Sequence, residues 1–352
     1  MTIRTLDELV DRGLILASER NSLVRVAEQF AVSISPGVAS LLEQTPPELR
    51  ASDPIARQYV PRASEIDPDP LAHEDPIGDQ RFSPARGLIH RFHDRVLIKP
   101  LEVCAVYCRF CFRRETINQG QAPLDHSELQ VIYDYIAERP YIWEAILSGG
   151  DPLLLSARRM AEIVAKLAAI PHLGVLRLHS RIPVVEPERI TSEIIAGLRS
   201  RLPVFILLHC NHPREFTKAA EAAIGRLVDA GIPLLGQSVL LRGVNNDPEV
   251  LTALFRRMVE LRIKPHYLHH ADLTAGTAEF RTEIAEGIAM LRSLRGKVSG
   301  LCHPTYMIEI PGGAGKVPLG HSWAEPVTGQ AGRWQIESPE GLIYDYPPAA
   351  AK

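Results

Sequence analysis

No stretch of the chain approaches the roughly 20 unbroken apolar residues of a membrane span, and Met1 to Gly13 lack the basic and apolar regions of a secretion signal. The expected location is therefore the cytoplasm. An excess of one charge is missing too: 39 Lys and Arg stand against 42 Asp and Glu, a net charge of -3. Such a balance makes no general field to attract nucleic acid or an anionic membrane, and neither is expected as a partner. Cysteine is sparse and odd in number, five in all, with three inside eight residues. In a reducing compartment these do not read as structural disulfides. Lysine is scarcer than arginine, seven against 32. What is present is enough apolar material, 45% of 352 residues, to build a sizeable core without cross-links, which excludes disorder and collagen-like composition.

Residues 1–50 place apolar side chains at helical spacing, with Leu6, Leu9 and Val10, then Val24, Val26 and Ala27, then Val38, Leu41 and Leu42 after a Ser35-Pro36 start. They predict an N-terminal helical layer. Residues 51–94 are rich in Pro, Asp and Arg and predict an extended wrapping segment. From Arg95 a short apolar run followed by a helical stretch repeats six times. The runs are Arg95 to Lys99, Trp143 to Leu147, Val175 to His179, Val204 to His209, Leu234 to Leu241 and His266 to His269. Asp247 and Pro248 supply an N-cap and a first-turn proline for one of the intervening helices. Six right-handed βα units curl into a partial (β/α)6 barrel over 95–300, with the loops at the C-terminal strand ends gathered at one mouth. The fold class is thus α/β, with a C-terminal extension over 301–352 that ends in a hairpin turning at Ser338-Pro339-Glu340-Gly341.

Just past the first barrel strand the chain reads CAVYCRFCFRR, placing Cys104, Cys108 and Cys111 in a C-x3-C-x2-C arrangement at that mouth. Spacers this short let three thiolates converge on one inorganic centre. A closed zinc or iron-sulfur site wants a fourth protein ligand. Cys210 and Cys302 are isolated and read as small buried hydrophobes. Three ligands on a four-iron cluster leave one iron open to a small molecule. The loop resembles the radical S-adenosylmethionine (SAM) superfamily, in which SAM chelates the open iron of a [4Fe-4S] cluster and is split to a 5'-deoxyadenosyl radical. Leu147-Ser148-Gly149-Gly150-Asp151-Pro152, after the second strand, is similar to that family's glycine-rich segment. The resemblance places Gly149 and Gly150 at SAM. Alone, the Gly-Gly pair would be an ordinary turn, and the cysteines a redox-inert zinc loop.

Near the other end lies Pro311-Gly312-Gly313-Ala314-Gly315-Lys316-Val317-Pro318. It fails as a phosphate-binding P-loop, with Ile310 where the first glycine belongs and Val317 after the lysine. Read by itself it is either a flexible surface loop or a place where a flat ring lies against backbone and the lysine amine forms a Schiff base with pyridoxal phosphate (PLP). Together with His90-Arg91-Phe92-His93-Asp94-Arg95, Arg181-Ile182-Pro183, Gly236-Gln237-Ser238 and Ala271-Asp272-Leu273, all in the same order, it resembles the lysine 2,3-aminomutase family, the radical SAM branch that uses PLP.

That resemblance implies an isomerase converting L-lysine to β-lysine, with Lys316 binding PLP covalently, Arg95 contacting PLP and Gln237 in the SAM site. Arg113 is implied to pair with the substrate α-carboxylate, a role that suits a planar bidentate donor. Asp272 and Glu309 are implied to hold the distal ammonium group, and two carboxylates facing a buried site select a cation. Read without the family, Asp272 is a loop cap and Glu309 a surface charge. The free-lysine fermentation enzymes carry Asp in place of Glu309 and His in place of Phe110. Glu309 and Asp75-Pro76-Ile77-Gly78 look more like the branch making (R)-β-lysine for elongation factor P. An electron donor such as flavodoxin or ferredoxin and a homo-oligomer, dimer or tetramer, follow from the same likeness. The competing readings are an aminomutase acting on another amino acid such as glutamate, and an iron-sulfur electron-transfer protein without PLP chemistry.

Overall fold

Three short helices, Leu6–Asp11, Arg20–Gln29 and Pro36–Glu43, open the computed structural model, which describes residues 1–348. They form the expected layer and bury Leu9, Val26 and Leu42 against the main core. Ser35 caps the third by accepting the Val38 N–H, with Pro36 in the first turn. The segment that follows holds more regular structure than the extended wrap the sequence suggests. Asp53 Oδ1 accepts from the N–H groups of Ile55 and Ala56 at 2.7 and 2.9 Å and starts the helix Pro54–Tyr59. Leu88–Phe92 forms a strand, β1. A six-residue helix and a five-residue strand are too short to give a periodic signal against so much proline and charge.

The remaining strands of the main sheet are β2 (Arg95–Leu101), β3 (Glu144–Gly149), β4 (Val175–Ser180), β5 (Val204–His209), β6 (Leu234–Val239), β7 (Ile263–His269), β8 (Thr305–Ile310) and β9 (Gly315–Leu319). All six expected barrel strands are among them, as β2 to β7. The nine strands lie in sequence order. From β2 to β8 every neighbouring pair is parallel, while β1 and β9 add antiparallel edges. Helices such as Ala157–Ala168, Lys218–Asp229 and Pro248–Glu260 make the crossovers, the last capped by Asp247 as anticipated. It buries Leu251, Leu254, Phe255 and Met258.

The sheet is curled. Arg91 on β1 reaches Glu309 on β8, NH1 to Oε1 at 2.9 Å, so the first and the penultimate strand of a nine-stranded sheet face each other across an ion pair. This is a partial barrel with a side-chain seam. Beyond it, β10 (Ala324–Pro326), β11 (Trp334–Glu337) and β12 (Ile343–Tyr346) form a separate antiparallel sheet. The turn between β11 and β12 is the anticipated one, with Ser338 N–H donating to Leu342 O at 2.7 Å. Among the described residues no helix is long and apolar enough to cross a membrane.

The N-terminal layer fastens the cysteine loop. Tyr107 N–H donates to Ser33 O and Arg109 N–H to Gln58 O, both at 2.8 Å, and Ser33 Oγ donates to Ala105 O at 2.9 Å. Below them Glu65, 2% exposed, receives two buried guanidiniums. Arg109 Nε lies 2.9 Å from both Glu65 oxygens, Arg114 bonds the same carboxylate, and the Arg114 guanidinium stacks 3.6 Å from the Phe30 ring centroid. Removing the shared anion leaves two buried cations unpaired, which typically costs about 3–5 kcal/mol. Glu65→Gln is expected to lose stability on that scale in urea unfolding of the cluster-free protein. Glu43→Gln, which breaks the half-exposed pair with Arg12, should change it by less than about 1 kcal/mol.

Candidate active site

The three loop cysteines sit at the C-terminal end of β2. Cys104 is tied by its N–H to Asn118 Oδ1 at 2.9 Å. Burial pushes all three thiols up, Cys111 to about 11, and repulsion from neighbouring cysteines adds to the effect at Cys104 and Cys111. A donor already aims at one of the sulfurs: Arg181 NH1 points at Cys108 Sγ, 3.2 Å away. Among the described residues no three His, Cys, Asp or Glu side chains are arranged around a single metal ion. A multi-iron cluster makes no such demand, since each thiolate takes its own iron.

The glycine segment lies against this loop. Gly150 donates its N–H to Leu101 O at 2.9 Å, and a Cβ there would come within 2.2 Å of Val103 O. Gly149 has φ +96°, a conformation that side chains rarely adopt. Both glycines are therefore needed for close approach to the strand end that carries the cysteines.

Across the barrel interior stands Lys316. The β8–β9 register pairs it with Glu309, and Nζ lies 3.6 Å from Glu309 Oε2. Its side chain keeps 37% exposure, so it occupies an open chamber. Protein crowds the amine closely enough that burial pulls its pKa below the ordinary lysine value, against Glu309 and Asp272. Asp272 faces the same amine. Burial first, then Glu309, pushes its pKa up to about 6, while Lys316, Arg113 and Arg91 oppose the rise. Among the described residues no hydrogen bond to its carboxylate contributes.

The structure thus gathers Lys316, Asp272, Glu309 and Arg113 around one chamber. Arg113 is not free there: Nε and NH2 both donate to Asp79 Oδ2, at 2.9 and 2.8 Å. Nor is Glu309, which Arg91 engages. Arg95 lies at the other end of β2 from the cysteines, 3.0 Å from Asp94 and stacked 4.2 Å from the Phe92 centroid. Its charge acts on Glu144, which holds Arg177 at 2.8 Å on the chamber floor. Gln237 is half-buried on β6, in register with His209 on β5 and Tyr267 on β7. Sequence reasoning missed Arg91, Asp79, Arg177, His179 and His269. Strand alternation could have found the last three, since Arg177 and His179 share a face of β4. Asp79 had no signal of its own.

Comparison with known proteins decides the family. An L-lysine 2,3-aminomutase from Clostridium subterminale is 38% identical over 90% of this chain and 75% of its own length. The chain belongs to the L-lysine 2,3-aminomutase family. A putative L-lysine 2,3-aminomutase from Aquifex aeolicus (strain VF5) is 36% identical over 98% of this chain and 92% of its own. A glutamate 2,3-aminomutase from Clostridioides difficile (strain 630) is 36% identical over 90% and 74%. No family model matches the chain. Among solved structures, a radical SAM methyltransferase from Sphaerobacter thermophilus aligns with a TM-score of 0.47 and 17% identity, covering 63% of this chain and 68% of that one.

Membership of the lysine 2,3-aminomutase family makes the chain an isomerase that transfers an amino group within its substrate. The residues fit the groups such chemistry uses. Three adjacent, half-buried thiols with a guanidinium trained on one of them suit a cluster. The chamber also holds two buried imidazole nitrogens, His179 Nε2 and His269 Nε2, without a partner among the described residues. Burial drives both histidines well below the ordinary value, so they face Lys316 uncharged, and unsatisfied buried polar atoms beside a reactive amine suit a polar ring such as that of PLP. Phe110, where the sequence departs from the free-lysine branch, packs against Phe280 and His209 at centroid distances of 6.1 and 5.6 Å. It is a wall beside the cysteines.

Gly150→Ala is expected to displace Val103 and with it the cysteine loop, lowering the iron retained after anaerobic reconstitution by more than half. Gly225→Ala, on a helix with open space at the added carbon, should retain iron like the unaltered protein.

Proposed function

We propose that the chain converts L-lysine to β-lysine by moving the amino group from C2 to C3, using a [4Fe-4S] cluster, SAM and PLP. When bound, these groups supply the one-electron chemistry and the ring delocalisation that the migration needs. Cys104, Cys108 and Cys111 hold the cluster and leave a corner for a non-protein ligand. Gly149, Gly150 and Gln237 serve SAM. Lys316 offers PLP an amine whose lowered pKa raises its neutral, nucleophilic fraction. Arg95, with Arg177 near it, supplies positive charge on the chamber floor.

The observation that carries the reading for lysine is the unspent carboxylate of Asp272, crowded by protein, facing Lys316 and Glu309, with no hydrogen bond of its own among the described residues. Such a group asks for a cation. Asp272 and Glu309 then receive the distal ammonium, and Arg113 takes the α-carboxylate in exchange for Asp79. A glutamate substrate would set its distal carboxylate against Asp272, so like charges disfavour it despite the glutamate-named relative. The features that point to the elongation factor P branch meet in one place. Arg91 bonds Glu309 and also donates to Ile77 O at 2.7 Å, inside Asp75-Pro76-Ile77-Gly78. This supports supply of β-lysine to that pathway. An electron donor such as flavodoxin or ferredoxin would reduce the cluster, and a homo-oligomer is the proposed state.

Anaerobically reconstituted protein given SAM, PLP, a chemical reductant and L-lysine is expected to form β-lysine. No product with an intact cluster would sink the proposal, and product from L-glutamate or a lysine-containing peptide instead would redirect it. Because Asp272 binds a cation only when ionised, KM for lysine should fall as pH rises through about 6 and then level off. Asp272→Asn should raise KM at least tenfold and flatten that profile, which initial rates across pH 5.5–8 would read.

A further inference from the structure

The cysteine loop has a neighbour that none of the roles above uses. Arg181 follows β4, is 6% exposed, and points NH1 at Cys108 Sγ across 3.2 Å. Its NH2 donates to Glu215 Oε2 and Gln58 Oε1, both at 2.6 Å. The guanidinium stands between the rings of Tyr59 and Phe110, 5.0 and 5.2 Å from their centroids. Its backbone is pinned as well, with the Arg181 N–H on Asp151 Oδ2 at 2.6 Å while Ser180 Oγ donates to Asp151 Oδ1 at 2.8 Å. Glu215 in turn accepts the N–H groups of Asn211 and His212 at 2.8 and 2.9 Å. NH1 and NH2 are both engaged and the backbone is fixed, while Nε has no partner among the described residues.

We infer that Arg181, oriented by Glu215 and Gln58, sets the reduction potential of the iron-sulfur cluster through its hydrogen bond to Cys108. The pair with Glu215 is neutral as a whole, but its positive end lies on the sulfur and its negative end away from it. An electron added to the cluster raises the negative charge on the ligand sulfurs, and a fixed cationic donor stabilises that form more than the oxidised one. Burial of the guanidinium magnifies the effect, because little water surrounds it to screen its charge. A lysine could supply the charge but not one planar fork reaching Cys108, Glu215 and Gln58 together. The inference rests on the cluster reading of the three cysteines and is independent of PLP and of the substrate.

The test is a redox titration, followed by electron paramagnetic resonance, of anaerobically reconstituted full-length protein without SAM or PLP. The double variant Arg181→Gln with Glu215→Gln removes both charges together and so leaves no buried ion unpaired. It is expected to shift the reduction equilibrium at least tenfold toward the oxidised cluster, ~59 mV for one electron. Glu215→Gln alone leaves the cation uncompensated and should shift it the other way, while Arg181→Lys should fall between the unaltered protein and the double variant. A merely structural role would change iron content or stability and leave the potential where it was. If the double variant retains no iron, the direction of the Glu215→Gln shift decides, and potentials equal to that of the unaltered protein in the variants that keep iron overturn the inference. An unaltered protein that assembles no iron-sulfur cluster would overturn the cluster reading itself, a result distinct from an unmoved potential.

Discussion

Among the described residues the edge strands β1 and β9 do not pair with each other, and a side-chain ion pair bridges the seam they leave. Here Arg91 on the first strand meets Glu309 on the eighth. Isolated charges at such a depth would be costly, and as partners they make the seam tolerable. The strap Asp75-Pro76-Ile77-Gly78 lies across it. A Cβ on Gly78 would come within 2.8 Å of Gly312 O, so two stretches of bare backbone pass each other there. The chamber that holds Lys316 exists because the barrel stops short of closure. The same gap lets a chain segment from the N-terminal side contribute Asp79 to its wall.

The opposite side of the chamber is organised by buried charge of another kind. Glu65 draws Arg109 and Arg114 beneath the cysteine loop, and Glu215 with Gln58 holds Arg181 beside it. Arg109 belongs to the loop itself, and Arg181 meets it at Cys108. Three thiolates cannot share a dry site with nothing but apolar neighbours, and guanidiniums fixed by carboxylates offer positive charge without adding net charge. The N-terminal helices supply the backbone acceptors and the Phe30 ring that complete this arrangement. Their contribution to function is to keep the loop in one shape.

Much of this was legible in the sequence because its signals are local. Alternating strand and helix patterns gave β2 to β7, Asp247-Pro248 gave a helix start, and the spacing of Cys104, Cys108 and Cys111 gave the cysteine loop. The PGGAGK loop directed attention to Lys316. What escaped depends on contacts between distant segments. Asp79 pairs with a residue 34 positions away and Arg91 with one 218 positions away, and nothing in the surroundings of either in sequence announces its partner. The helix Pro54–Tyr59 escaped for another reason: its six residues present too little of a face for periodicity to register, although Asp53-Pro54 marked its start.

The Asp79–Arg113 pair alters the electrostatics of ligand entry. An anionic group arriving at this guanidinium meets a site whose charge is already balanced from within, so binding is an ion exchange in which one carboxylate leaves as another takes its place. The count of uncompensated buried ions stays constant through the swap. A ligand lacking an anion, such as an ester or an amide, has nothing to trade, and the internal counterion keeps it out.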